Sequence, residues 1–381
     1  MGGSLRCQLF SLMATTCMSA MVLGAPGAAS VAIPIAESVA REYQRKPPSG
    51  PKDDEKEHRG KNLRLSFSAT EGFSLGEDRA DCTRKVFLIG VVLSAITSSP
   101  ACLTGAPANV FLRGFLEMEG YPEMITYSKW ITTNIFGAAV SFIALWVFLV
   151  HFYVRKFEGD EPAASEVKAS IQALSASELE PLTWQEAMTA ACYGITLLGM
   201  YFRAPPFIQG WPEYVGVNEW IGEPTPLLFA IFFVVTFLSR PPLSHVEVAP
   251  LWNQAEAAIP WSTLLVMGAG FALNSAIKKT ELFAVLMSGT TARLGLSAIS
   301  LQITLSVAVS LLAELRGGVA LCALVLPLVV KLSDYSHFHP LKIALPVTLS
   351  CSMGLFFSVA SPGNNLLMAK ERISKGNLVC N

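Results

Sequence analysis

Charged side chains are scarce in this chain, and their scarcity excludes most soluble classes of protein. Asp, Glu, Lys and Arg together make up 15% of the 381 residues, whereas about a quarter of a soluble domain is charged. The formal net charge is −1, so the chain lacks the basic excess that nucleic-acid binding requires. We therefore expect no nucleic-acid partner.

Motifs for metal binding and catalysis are also lacking. The eight cysteines form no Cys-x-x-Cys pair and no cluster with histidine at metal-ligand spacing, so we expect small buried residues. The five histidines show no pattern beyond His337-x-His339, which suits a membrane interface. Since no acid/base pair or nucleophile is visible, the sequence predicts that the protein is not an enzyme and has no cofactor.

Long apolar runs, by contrast, are abundant. Apolar residues account for 52% of the chain, and the mean hydropathy is +0.45. A spanning helix needs about 20 apolar residues, and runs near that length recur at 84–98, 130–154, 186–202, 224–239, 260–277 and 341–360. The sequence predicts an all-α, polytopic membrane protein in a lipid bilayer.

One feature occurs twice, namely two short apolar legs joined by a Gly-rich turn. The legs are residues 7–23 and 27–40 in the first copy, and 298–314 and 320–332 in the second. Each leg is shorter than a spanning helix, which is typical of a re-entrant helical hairpin. The first copy also resembles a secretory signal peptide, because Arg6 precedes its apolar run and small residues follow. The repeat favours the hairpin.

A broken apolar segment follows each hairpin. Thr104–Asn109 interrupt the first segment and Ala360–Asn364 interrupt the second, with Gly, Pro and Asn in both. Breaks at matching places in two halves are typical of secondary transporters built from internal repeats. The alternative is two unrelated turns between ordinary membrane helices.

The loops predict an orientation. Residues 41–65 carry eight basic against five acidic residues, so the positive-inside rule places this linker in the cytoplasm. Five crossings then separate the hairpins, which makes them inverted-topology repeats. The predicted segments are the first hairpin 1–40, a cytoplasmic linker 41–83, a broken helix with the next helix 84–154, a cytoplasmic polar and amphipathic segment 155–185, scaffold-type helices 186–297, the second hairpin 298–335, and the second broken helix with the C-terminus 336–381.

Several local sequences together resemble the divalent-anion:sodium symporters, the sodium-coupled dicarboxylate/citrate cotransporters. The resemblance covers nearly the whole chain and rests on the first hairpin tip with its second leg, Leu103–Asn109, Tyr201–Trp211, Ile259–Leu273 and Ala360–Asn364. Compared with that family, we expect helices to be missing before the first hairpin and after the second broken helix. The resemblance implies a homodimer for the full-length form.

The resemblance also implies where ligands bind. In the family, a Ser-Asn-Thr triplet at each hairpin tip binds sodium and the substrate carboxylates, and here both triplets are replaced. The positions expected at the substrate are Gly24, Ala25, Pro26, Gly317, Gly318, Val319, Ser361 and Pro362. Those expected at sodium are Gly24, Ala25, Thr104, Gly105, Asn109, Gly317, Gly318, Ala360 and Asn364.

The residue types leave two roles open for the polar side chains at the breaks. These side chains either supply oxygen ligands to sodium or satisfy backbone groups that the break leaves without partners. The side chains concerned are those of Thr104, Asn109, Ser361 and Asn364. At the tips, glycine permits close backbone approach and free N–H groups attract anions, although Pro26 removes one donor.

Two classes of function follow. The first is secondary active transport of di- or tricarboxylates such as succinate and citrate, by sodium symport, in the plasma membrane. The second is a transport-deficient homologue or fragment, which the replaced triplets favour. Arg316 lies beside the second tip. It is either a fixed positive charge that replaces sodium, which would give sodium-independent anion transport, or a residue that forms an ion pair with Glu314 or lies at the aqueous interface.

Overall fold

The structure, a computed structural model, describes most of the chain. It covers residues 5–44, 83–121, 124–154, 184–216, 222, 224–233, 256, 259, 261–280, 298–315, 317–335, 339–355, 361 and 363–365. Most of the predicted linker at 41–83 and the amphipathic segment within 155–185 lie outside the described residues.

Every regular element in these ranges is helical, as predicted. The helices are α1 (Leu5–Gln44), α2 (Thr83–Ala101, ending in the 3-10 turn Ser99–Ala101), α3 (Pro107–Met118), α4 (Tyr127–Phe152), α5 (Trp184–Tyr201), α6 (Trp211–Val215), α7 (Thr225–Phe233), α8 (Trp261–Thr280), α9 (Ala298–Ala313), α10 (Gly318–Tyr335) and α11 (Pro340–Cys351). Among the described residues, α1, α2 and α4 are long and apolar enough to cross a membrane.

The chain divides into two compact units. The first comprises Met1–Ser99, Ala139–Leu179 and Leu355–Asn381, and the second comprises Pro100–Ala138 and Glu180–Gly354. Each unit is therefore assembled from parts that are distant in the sequence.

In the first unit, α1 consists of two helical legs, residues 5–23 and 25–44, that meet at Gly24. Gly24 has φ 75° and ψ 166°, a conformation essentially restricted to glycine. Only this residue departs from helical geometry, whereas the sequence predicted a longer turn. Both legs approach the about 20 residues of a spanning helix, so they are longer than predicted.

Contacts with the start of α2 show that the two legs fold back on each other. Leu5, at the start of the first leg, lines a small cavity together with Val86. Glu37, near the end of the second leg, lies 3.4 Å from Arg84. In one straight helix Leu5 and Glu37 would be roughly 48 Å apart. Since both meet the first turn of α2, the legs form a hairpin.

The first leg supplies much of the core of this unit. Leu9 and Met13 are fully buried. A Cβ added at Gly90 of α2 would lie 3.0 Å from Leu9 Cδ1 and 3.3 Å from Leu149 Cδ1 of α4, so the three helices pack closely there. The segment that resembles a signal peptide thus forms core.

In the second unit, α10 packs against α3, α8 and α11. Phe111 of α3 and Phe271 of α8 stack with ring centroids 4.9 Å apart. A Cβ at Gly270 would lie only 2.6 Å from Ala323 Cβ, so glycine permits this approach. The pair α9 and α10 corresponds to the second predicted hairpin, and both helices pack on α11 more extensively than on each other.

The breaks begin earlier than predicted. Helix α2 ends at Ala101 and α3 starts at Pro107, so Asn109 is helical although we predicted it within the break. Helix α11 ends at Cys351, although an apolar span was predicted over 341–360. Residues 353–355 are irregular, and 363–365 form a single helical turn. The first break is therefore unwound over 102–106 and not over the predicted 104–109.

Candidate functional site

Asn109 holds the first break in place with one half of its amide. Its Nδ2 donates to the carbonyl oxygens of Pro100 and Cys102, at 3.0 Å each. Pro100 lies in the last turn of α2, and Cys102 is the first residue of the unwound backbone. Its Oδ1 is buried and has no hydrogen-bond partner within the described residues. The two predicted roles therefore divide between two atoms, because the nitrogen satisfies freed backbone groups and the oxygen is left as a potential ligand.

Two aromatic side chains of α4 support the same loop. Trp130 Nε1 also donates to the Pro100 carbonyl oxygen, at 3.0 Å. The Tyr127 hydroxyl lies 2.8 Å from Cys102 Sγ. Sequence reasoning missed both residues, because an aromatic residue in an apolar helix gives no sign of a hydrogen-bonding role.

Two further residues of this break were predicted to bind sodium, namely Thr104 and Gly105. Gly105 N–H donates to the Cys102 carbonyl oxygen at 3.2 Å. Thr104 is exposed, and its Oγ1 lies 3.5 Å from Cys102 Sγ. Gly105 thus closes a tight turn, and Thr104 lies at the surface of this unit.

The second break has the same tether at the same offset. Asn364 Nδ2 donates to the Leu355 carbonyl oxygen at 3.2 Å, nine residues earlier, just as Asn109 bonds Pro100 nine residues earlier. Each Asn follows a proline by two positions, Pro107 and Pro362. Ser361 Oγ accepts from the Gly363 N–H at 3.3 Å. This shared geometry relates the two breaks beyond their composition.

The hairpin tips differ from each other. In the first unit, Gly24 and Ala25 are buried and Pro26 is exposed, and Pro26 falls in the first turn of the second leg, where its missing N–H is tolerated. In the second unit, Gly317 is exposed and a Cβ there would meet nothing within 4 Å, whereas a Cβ on Gly318 would overlap the Cys351 carbonyl. Glycine is needed at 318 for close approach to the protein's own backbone.

The predicted residues separate into two groups. The first unit holds Gly24, Ala25, Pro26, Ser361 and Asn364, and the second holds Thr104, Gly105, Asn109, Gly317, Gly318 and Val319. Ala360, Pro362 and Arg316 lie outside the described residues.

Within each unit, a hairpin meets the break that follows the other hairpin. In the first unit, a Cβ at Gly363 would lie 3.7 Å from Ala29 Cβ of the second leg. In the second unit, Cys322 Sγ of α10 lies 3.8 Å from the Ala108 carbonyl oxygen at the start of α3. The same combination of parts thus occurs in both units.

A buried polar network in the second unit escaped sequence reasoning altogether. Glu119 caps the end of α3, accepts from Asn274 Nδ2 of α8 at 2.8 Å, and lies 3.7 Å from Lys331 Nζ of α10. The Glu119 side chain is 5% exposed and that of Lys331 31%. Three helices are joined by this network. Its members are spread over the chain at no recognisable spacing, so no motif marks them.

These features define a class of protein, a helical membrane protein with two interrupted helices whose unwound ends are held by asparagine. The citrate transporter family matches residues 1–349, and the chain belongs to this family. The resemblance seen in the sequence is thereby confirmed.

Curated relatives match at low identity. The chain is 23% identical over 313 residues to a sodium-dependent high-affinity dicarboxylate transporter of Caenorhabditis elegans, covering 77% of this chain and 56% of that protein. It is 23% identical over 317 residues to the Na(+)/citrate cotransporter of Rattus norvegicus, covering 75% and 54%. It is 24% identical over 308 residues to human solute carrier family 13 member 1, covering 75% and 51%. The chain spans about half the length of these relatives.

Proposed function

We propose that this chain is a secondary active transporter of di- and tricarboxylates such as succinate and citrate, coupled to sodium, in the plasma membrane. The names of the relatives give the substrate class and the coupling ion. The broken helices give a physical basis for the coupling ion, because unwound carbonyls and polar side chains can replace the hydration of a cation.

The observation that carries the proposal is the divided role of Asn109. Two hydrogen bonds from its nitrogen fix the broken backbone, which sets the position of Oδ1 without using it. Hard cations prefer oxygen ligands, and a buried oxygen without a partner is costly unless a ligand satisfies it. Sodium supplies that partner in the loaded state.

The substrate carboxylate would bind at helix N-termini. Helix α3 begins after Ala106, whose side chain has no acceptor to cap the helix, and Ala108 in its first turn meets α10 at Cys322. Two helices thus start near one another in the second unit. The positive dipole ends of the two helices favour a carboxylate.

We further propose that transport moves a hairpin unit against scaffold helices, by an elevator-like or rocking motion, and that the full-length form is a homodimer. Both follow from the family resemblance. Inverted repeats are expected for alternating access, and the matching tethers of Asn109 and Asn364 support that relationship.

Uptake of labelled succinate and citrate, with sodium or with choline in its place, tests the proposal. The key variant is Asn109→Ala. A matched control is Asn134→Ala, since Asn134 is also a buried asparagine and donates only to Trp130 of its own helix. Loss of even an outer-shell partner of a metal ligand typically costs about 10–100-fold in metal affinity or activity, so we expect roughly tenfold or greater loss of sodium-dependent uptake for Asn109→Ala. Equal uptake in the two variants, with equal surface labelling, would contradict the assignment.

A transport-deficient homologue is the second candidate, and the geometry of the tips favours it. A side chain at Gly24 is strained by the backbone, and one at Gly318 collides with Cys351. Neither tip therefore accommodates a full Ser-Asn-Thr triplet. At Gly317, by contrast, a Cβ would meet nothing within 4 Å, so this position has open space for a side chain. If the native chain reaches the surface but shows no uptake, and Gly317→Ser restores uptake, the defect lies at the tip. Absence of uptake in both proteins favours the second candidate.

The Arg316 hypothesis has its own test. If its charge replaces sodium, native uptake is sodium-independent and Arg316→Gln abolishes it. Unchanged uptake in this variant would remove the hypothesis and leave Arg316 as a partner of Glu314 or of the interface.

A further inference from the structure

Two buried cysteines lie side by side in the second unit. Cys322 is one turn beyond Gly318 on α10, and Cys351 is one turn beyond Thr348 on α11. Residues one turn apart share a helix face. Gly318 abuts the Cys351 carbonyl, and Cys322 Sγ lies 3.9 Å from Thr348 Oγ1. These contacts bring the two cysteines to the same crossing of α10 and α11.

The surroundings of this pair limit what it can bind. Each cysteine is 1% exposed, both are free thiols, and Cys322 Sγ lies 3.9 Å from the Thr348 hydroxyl oxygen and 3.8 Å from the Ala108 carbonyl oxygen. Among the described residues no third His, Cys, Asp or Glu joins them. A structural zinc site takes four ligands, so the pair suits a soft cation that is satisfied by two sulfur ligands.

We propose that Cys322 and Cys351 form a binding site for a divalent thiophilic cation of the mercury(II) class, held linearly between the two sulfurs. Two S–H bonds break, two metal–sulfur bonds form, and both protons leave to solvent, with no change of oxidation state. The site is neutral before and after binding. That matters in a buried place, because an uncompensated charge there is very costly.

Binding has a structural consequence. The bridge ties the second turn of α10 to the last residue of α11, immediately beside Gly318 and the start of α3. The bound cation therefore fixes the second hairpin tip against the end of the broken helix. The proposal does not depend on transport, and its test requires no substrate.

The test measures mercury retained by the purified full chain after incubation with mercury(II) chloride and desalting in excess glutathione. A single protein thiol loses the metal to glutathione, whereas two preorganised thiols keep it through their high effective concentration. We expect Cys322→Ser and Cys351→Ser each to retain one mercury fewer per chain than the native protein. Cys17→Ser and Cys102→Ser are matched controls of buried cysteines, and they should retain as much as native. Other cysteines contribute equally to every variant.

A second measurement compares proton release in weak buffer between the native protein and the Cys322→Ser, Cys351→Ser double variant, so that the other cysteines cancel. The native protein should bind one more mercury and release two more protons than the double variant. Size-exclusion profiles check that the serine variants remain folded. Retention in Cys322→Ser equal to native, or a difference of only one proton between native and double variant, would overturn the proposal.

Discussion

The Gly24 backbone fixes where the first hairpin turns. Its φ of 75° and ψ of 166° lie where a Cβ clashes with the neighbouring peptide, at a cost of about 1–3 kcal/mol. We therefore expect Gly24→Ala to lower the free energy of unfolding by that amount, measured by thermal unfolding in detergent. Gly137→Ala is the control, because Gly137 is helical and a Cβ there meets nothing within 4 Å. Equal stability of the two variants would show that the turn is not constrained.

The Glu119–Lys331 pair gives a second prediction for single residues. Lys331→Met leaves a carboxylate that is 5% exposed without its cation, whereas Glu119→Gln leaves an ammonium that is 31% exposed. Breaking a fully buried pair costs roughly 3–5 kcal/mol, and the partial exposure of Lys331 reduces this. We expect Lys331→Met to be the more destabilising variant in thermal unfolding.

The double variant provides the control for this pair. Glu119→Gln with Lys331→Met removes both charges and should recover stability relative to Lys331→Met alone. If the double variant were as unstable as the sum of the single variants, the two side chains would not be coupled.

At the scale of elements, sequence patterns predicted which helices exist but not where they end. The apolar runs predicted membrane-spanning helices. The sequence also placed a turn at Gly24, where the two legs of α1 meet. The start of α3 at Pro107 can be read from the neighbouring sequence, since proline is favoured in the first turn of a helix. The end of α11 cannot be read in this way, because Gly318 of another helix packs against the Cys351 carbonyl there. No pattern within 341–360 contains that information.

The candidate site shows the same division. Asn109 and Asn364 were predicted from the composition of the breaks, and the structure assigns their nitrogens to the backbone. The support from Trp130 and the network at Glu119 depend on contacts between distant segments. Such contacts follow from packing, which one sequence does not specify at the level of residue pairs.

Close packing of α8 on α10 and α3 makes a prediction at this scale. A Cβ at Gly270 would lie 2.6 Å from Ala323 Cβ and 2.8 Å from Phe111 Cζ. Overpacking of this kind costs about 1–3 kcal/mol, so Gly270→Ala should unfold at a lower temperature than native. Gly268→Ala, on the same helix with nothing within 4 Å, should gain up to about 1 kcal/mol from helix propensity. The reverse order would contradict the packing.

For the whole molecule, the two units predict separate local responses. Asn364→Ala removes the bond to Leu355 in the first unit, and Asn109→Ala removes the bonds to Pro100 and Cys102 in the second. Amide hydrogen exchange reports local opening. We expect Asn364→Ala to speed exchange in α1 and α2 and Asn109→Ala to speed it in α3 and α10. Uniform acceleration throughout by either variant would show one cooperative body instead.

The assembly of the first unit from distant segments has a consequence for biosynthesis. Gly363 packs near Ala29 and Val92, so this packing forms only after the long intervening stretch of chain has been synthesised. Contacts with such separation carry a large loop-closure entropy and form slowly. The first unit therefore completes only after the ribosome has synthesised the second unit. Until then, the side of the hairpin that packs on Gly363 is unfilled.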